Sequence, residues 1–181
     1  ARRAVELCDG DLCAVFRFDG QLIHLVAHHL LSTAGTIGYE RAFPQPANRG
    51  TAIGRAVEER TFVQIPDIEA DAEYDRANPA NAMTVRSILA VPLLRAGRPI
   101  GGIAVSRAAS GPFSEKHVDL LHTFADQAVI SIENVRVFRE LATRTDALTR
   151  SVEEMHALGE VDRAVSSTLD MVTVLQNIIS H

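Results

Sequence analysis

Arg86-Ser87-Ile88-Leu89-Ala90-Val91-Pro92-Leu93-Leu94-Arg95, then Ala96-Gly97, then Arg98-Pro99-Ile100-Gly101-Gly102-Ile103-Ala104-Val105-Ser106, is the stretch that decides the fold. Two apolar runs flank a short glycine-containing turn, which reads as a buried antiparallel hairpin. Working back toward the amino terminus, Phe62 to Ile65 predicts a short strand stopped by Pro66-Asp67, and Ala52 to Glu59 a short helix with Ile53, Ala56 and Val57 on one side. Gly35 to Asn48 reads as a loop, because Pro44 and Pro46 cannot sit in a central strand. Gln21 to Leu30 and Leu12 to Phe18 pair as strands around the Asp19-Gly20 turn, and residues 2–8 end a helix broken by Asp9-Gly10. Residues 67–85 have no apolar period. Asp67, Asp71, Asp75, Asn78, Pro79 and Asn81 supply turn and cap chemistry there, and a loop of that length in a compact domain is expected to be a binding lid or disorder.

Toward the carboxyl terminus, Ser114 with Glu115 to His117 opens a helix that no Gly or Pro interrupts through residue 158. At 1.5 Å per residue it would run roughly 65 Å, more than one small domain covers. Leu121, Ala125, Ala128, Ile132 and Val135 form the face expected on the domain's own sheet. Phe138, Leu141, Thr145, Leu148, Val152 and Met155 then recur at gaps of three and four, a seven-residue seam. The seam predicts a homodimer through the C-terminal helix, with a coiled-coil linker over 138–158. The phase shifts at Leu158, Val161, Val165 and Leu169, and Thr168-Leu169-Asp170 reads as a helix break with Asp170 capping Val172 to Ile179. Residues 158–181 thus read as the start of a second, truncated domain. The chain opens at Ala1 and stops at His181 inside an apolar helical pattern, so a piece of a longer polypeptide, serving output domains of that polypeptide, is expected.

Composition narrows the function. A chain of 181 residues with 46% hydrophobic content can bury one ordinary core plus an extension. A net charge of −5 and a pI near 5.8 argue against nucleic acid or an anionic membrane as partner, since both draw affinity from clustered cations. The longest uncharged apolar run, Ile88 to Leu94, falls far short of the ~20 residues of a membrane span. Cys8 and Cys13 are the only cysteines and match no zinc spacing, so reduced thiols, a cytoplasmic location and no metal site are expected.

The hairpin, together with Phe113-Ser114 and the helix carrying Leu121, Ala125, Gln127, Ala128, Ile132, Glu133, Asn134 and Phe138, closely resembles the GAF domain, a small-molecule-sensing and dimerising module of signalling proteins. The resemblance covers roughly residues 4–140 and assigns 1–140 as the sensor domain. It implies an α+β fold: a central antiparallel sheet of five or six strands, helices on one face, loops and short helices on the other, and a long C-terminal signalling helix. It also implies a ligand cup under the crossing loops, walled by Phe16, His28, Phe43, Ile53, Tyr74, Met83, Arg86 and Ser87. Phe16, Ile53 and Met83 suit core positions equally well, and Arg86 suits a strand-start cation pairing with Asp67 or Asp71.

The family's chemistries leave partial traces. Cyclic-nucleotide-binding members carry an Asn-Lys…Phe…Asp-Glu arrangement in the lid region, and no lysine here precedes Lys116. Positions 30–181 hold no cysteine, so no covalent bilin is expected. A haem needs an axial histidine, and His24, His28 and His29 read as edge-strand residues, His24 and His28 on one face and His29 opposite, so haem is disfavoured. One branch of the fold reduces free methionine sulfoxide through cysteines around the pocket, a role for which Cys8 and Cys13 lie too early in the chain. His156 lacks the following Glu and Pro of a kinase phosphoacceptor box, and Gly97, Gly101 and Gly102 belong to the hairpin rather than to a phosphate loop. No catalytic residue is expected. The resemblance implies a regulatory, ligand-sensing and dimerising module of a bacterial signal-transduction protein, with a sensor histidine kinase as the expected host and a cyclic-dinucleotide synthase, an adenylate cyclase or a transcription activator as alternative hosts. The alternative is a ligand-free dimerising spacer. In the sensing reading, a ligand shifts the 67–86 lid and biases the packing of the long helix.

Overall fold

The computed structural model describes residues 2–29, 33–79 and 85–179. Its centre is the hairpin of β5 (Ser87–Arg95) and β6 (Arg98–Arg107), which runs in register from Ser87 opposite Arg107 to Arg95 opposite Arg98 with one irregularity at Leu93/Leu94. Ala96 (φ 48°) and Gly97 (φ 74°) make the turn. Two successive positive φ values match the right-handed twist of the flanking strands, as in a type I′ turn. On the other edge of β6, β1 (Leu12–Phe18) pairs from Leu12 opposite Ser106 to Arg17 opposite Gly101. The strands β2 (Leu22–His29), β3 (Gln45–Pro46) and β4 (Val63–Ile65) complete a six-stranded antiparallel sheet in the order β3-β2-β1-β6-β5-β4.

Alternation along the strands makes two cores. Ile88 and Ala90 of β5, Ala104 of β6 and Ala14 and Phe16 of β1 face one layer. Leu89, Val91, Leu93, Val105 and Cys13 face the other, covered by α1 (Arg2–Leu7) through Ala4 and Val5 and by the first turns of α4 (Glu115–Ile179) through Leu121 and Ala125. Packing of α4 on the sheet fades after Ala128 and Val129: Ile132 is 46% and Val135 51% exposed, although the sequence placed both on the buried face. The helix starts where Ser114 Oγ accepts the His117 amide at 3.3 Å. It continues to Ile179 without the break read at Thr168-Leu169-Asp170, because Thr and Asp cost an interior helix position only fractions of a kcal/mol and neither Gly nor Pro is present there. No helix among the described residues is long and apolar enough to cross a membrane. The chain divides into compact units of residues 1–132 and 133–181.

The first layer is built by α3 (Ala52–Glu59) and α2 (Thr33–Ala42). Thr51 caps α3 by accepting the Gly54 amide at 3.1 Å, and Arg60 closes it in the left-handed region. Gly102 admits α3 onto β6, since a Cβ there would collide with Ile53. The segment read as a loop from Gly35 to Asn48 instead contains α2 and β3. Glycines at 35 and 38 hide the helix from propensity, and tertiary packing of Tyr39 and Phe43 on Phe16 stabilises it. Pro46 does avoid a central strand: it sits opposite Leu22 at the sheet's edge.

Candidate functional site

Four of the residues assigned to the ligand cup converge. Phe16 from β1, Phe43 after α2, Ile53 from α3 and Tyr74 from the 67–79 loop line a cavity with Tyr39, Thr51, Ala52, Ile88 and Ala104. Its volume is about 30 Å³. A site that encloses a drug-sized molecule spans about 300–1,000 Å³, and 30 Å³ exceeds the room one water needs by only about twofold. The space is filled by rings: Phe16 and Phe43 centroids lie 4.8 Å apart, Tyr39 and Phe43 6.0 Å, Phe16 and Tyr39 6.3 Å. Those offset and tilted contacts add to the burial of each ring. Burial pushes the phenols of Tyr39 and Tyr74 above their ordinary value, so both are neutral donors.

The other assigned residues lie elsewhere. His28 stands opposite Ala14, exposed, on an outer recess with Glu40, Phe43 and Pro44. A bulge between Val15 and Phe16 shifts the β1–β2 register, so that His24 pairs with Arg17 while His28 pairs with Ala14. Opposed residues share a face and positions 14 and 17 do not, so the two histidines fall on opposite faces rather than on one. His24 Nε2 meets Asp19 at 2.5 Å, and Asp19 also accepts the Gln21 and Leu22 amides, which hold its carboxyl well below the usual carboxylate range. Ser87 is fully buried on the helix-covered side, donating to the Ala109 carbonyl (2.8 Å) and accepting from Arg107 (2.9 Å). Arg86 makes a fork to both oxygens of Asp67 (3.0 and 2.6 Å) and approaches Glu69 at 3.3 Å. Of the two uses the sequence allowed for Arg86, a wall of the cup or a partner for an aspartate, the geometry gives the second. Met83 lies outside the described residues.

The loop over the cavity is clamped by arginines that the sequence did not single out. Arg55 on α3 is 6% exposed; its Nε donates to the Arg49 carbonyl (2.6 Å) and its two terminal nitrogens donate to the two oxygens of Asp71 (2.7 and 2.8 Å). Asp71 in turn accepts the amides of Glu73 and Tyr74, each at 3.0 Å. The guanidinium holds the Asp71 carboxyl below its ordinary range, and the carboxylate raises Arg55. Arg49 forks to Glu73 (2.8 and 2.8 Å) and reaches Glu59 (2.9 Å). At Gly50 the loop comes close: its carbonyl accepts the Asp75 amide at 2.9 Å, and a Cβ there would lie 2.9 Å from that of Asp75. The signal for Arg55 was present in the sequence, a lone arginine between Ile53 and Ala56 on an apolar helix face.

Neither thiol faces the cavity. Cys8 and Cys13 are buried in the helix-side core, and burial pushes Cys8 up and Cys13 up to about 11. No group of three His, Cys, Asp or Glu able to hold a metal occurs among the described residues. Along α4, Phe138, Leu141, Leu148 and Met155 stand 72%, 55%, 67% and 63% exposed, and Thr145 is exposed with its hydroxyl bonded to the Leu141 carbonyl. The Val152 side chain lies outside the described residues.

A six-stranded antiparallel sheet with helices on one face and a covered cup on the other defines an α+β sensor-type domain. The chain belongs to the GAF domain family, whose model matches residues 1–133. Solved structures agree on the fold. The GAF domain/HD domain protein from Geobacter sulfurreducens is 17% identical with a TM-score of 0.64, covering 76% of this chain and 89% of that one. A domain of a putative two-component sensor histidine kinase from Sinorhizobium meliloti 1021 is 19% identical (TM-score 0.59; 75% and 86% covered). The type II free methionine-R-sulfoxide reductase from Thermoplasma acidophilum is 20% identical (TM-score 0.57; 71% and 83% covered). No curated protein matches the chain.

Proposed function

We propose that this chain is a regulatory input and dimerisation module of a bacterial signal-transduction protein, a sensor histidine kinase, working in the cytoplasm and catalysing nothing itself. The observation that carries the reading is the apolar seam of α4: Phe138, Leu141, Leu148 and Met155 are all more than half exposed in the single chain. Residues at this spacing bury their side chains when two helices supercoil. The dimer helix is the output element; displacement of the loop above the cavity changes how the sheet supports its first turns. The kinase host is supported by the likeness to the Sinorhizobium meliloti domain.

Light scattering tests the seam. The chain is expected to be a dimer, and Leu148→Glu with Val152→Glu is expected to give a folded monomer; an unchanged dimer rejects the interface. A second reading, a ligand-free dimerising spacer, is favoured by the ring-filled cavity. Methionine sulfoxide reduction finds no support in the placement of the thiols, which are buried on the far side of the sheet from the cavity.

A further inference from the structure

We propose that Asp71 and Tyr74 are a built-in stand-in for the ligand, and that the ligand displacing them is an aromatic carboxylate, its carboxylate on Arg55 and its ring in the place of the Tyr74 ring. The inference rests on the cavity being the module's sensing site and names what that site takes.

A void of about 30 Å³ admits nothing larger than water, so a ligand must displace a side chain. Phe16 is fixed on a strand between two neighbours, Tyr39 on a helix, and Phe43, just past that helix, by its amide bond to the Tyr39 carbonyl (3.1 Å) and by its packing between the Phe16 and Tyr39 rings, whereas Tyr74 belongs to neither helix nor strand and lies on the loop. Tyr74 is therefore the ring that yields at the lowest cost. It does not move alone: its amide is held by the same Asp71 oxygen that Arg55 Nη2 holds. When Tyr74 leaves, Asp71 leaves with it.

What remains is a charged, oriented receptor. Arg55 is nine-tenths buried, and its guanidinium is aimed by the Nε bond to the Arg49 carbonyl, an atom outside the loop. Arg49 keeps its bond to Glu59 on α3 after Glu73 departs. A buried guanidinium stripped of its anion is strongly disfavoured, and its planar fork recognises a carboxylate through two parallel bonds, the geometry Asp71 already adopts. Arg55 does not itself line the cavity; the apolar slot vacated by the ring, walled by Phe16, Phe43 and Ile53, is linked to its fork through Asp71, one oxygen of which accepts from both Arg55 and the Tyr74 amide. Among the described residues, no acidic side chain lines that slot. Carboxylate and ring, joined, are what both halves accept.

A tethered carboxylate competes at an effective concentration in the millimolar range, so wild-type affinity is modest and the loop sets the threshold. The test removes the stand-in. In Asp71→Asn/Tyr74→Ala, calorimetric titration with 3-phenylpropionate is expected to show binding at least tenfold tighter than in wild type and at least tenfold tighter than 3-phenylpropanol. Adding Arg55→Gln is expected to abolish the preference for the acid. Equal binding of acid and alcohol, or no binding by a variant whose near-ultraviolet circular dichroism is native, overturns the proposal. Asp71→Asn alone, which keeps the ring in place, serves if the double variant does not fold: preference for the acid supports the proposal, no preference overturns it. Light scattering of the same samples separates the two ideas, since loss of acid binding with the dimer intact rejects the ligand class and leaves the dimerisation module standing.

Discussion

Ala96 holds a left-handed backbone (φ 48°) that a β-carbon disfavours by roughly 1–2 kcal/mol, whereas asparagine tolerates it. Ala96→Asn should raise stability by about 1 kcal/mol, read as a rise of about 4 °C in melting temperature. Phe16 is the opposite case: 2% exposed, in contact with two other rings, it has no room to collapse into. Phe16→Ala should cost about 4 kcal/mol in denaturant unfolding. Arg86→Ala removes the fork to Asp67 at the end of β5; it should lower the melting temperature without weakening any cavity ligand, because Arg86 does not reach the cavity. Cys13, with its thiol pushed up to about 11, should resist iodoacetamide at pH 8 until the chain is unfolded.

At the scale of elements, the 67–79 loop is fastened through carboxylates. Asp67 and Asp71 are each held below the ordinary 3.8 by an arginine, so each contributes stability above that value and loses it as pH falls through the lower folded value. Thermal melts from pH 6 to 2 should therefore be flat down to about pH 4 and fall below it. Arg55→Gln should flatten the acid limb and lower stability at pH 7 by roughly 2 kcal/mol, since Asp71 loses its two charged bonds. Hydrogen exchange should show the amides of Tyr74 and Asp75 slowed in the wild type, bonded as they are to Asp71 and Gly50, and fast in Arg55→Gln.

For the whole molecule, one sheet serves two layers with different tasks. The helix-side layer, with Leu89, Val91, Leu93 and Leu121 almost wholly buried, fixes where α4 begins. The opposite layer closes over the cavity by side chains and ion pairs from a loop, the part of a fold whose opening free energy is smallest. Replacing Leu148 and Val152 with glutamate should leave the acid limb and the Phe16 core unchanged while abolishing the proposed dimer, because the two cores of the sheet domain are built from other residues.

The sequence by itself determined what depends on period and local chemistry. Strand alternation set β1, β2 and the β5–β6 hairpin, the shared side of Ile53, Ala56 and Val57 set α3, and the absence of Gly and Pro through residue 158 set the long helix to that point. Tertiary structure decided what depends on register and on partners distant in the chain. The bulge at Val15/Phe16 reversed the relation of His24 to His28, because one extra residue inverts a period of two. Packing against Phe16 made α2 a helix despite its glycines. Arg55 was read only as part of a short helix, and Asp71 as turn chemistry or a partner for Arg86; sixteen residues apart, Arg55 and Asp71 meet because α3 and the loop cross over the same patch of sheet. A fork of two hydrogen bonds needs coordinates, which spacing along a chain does not supply.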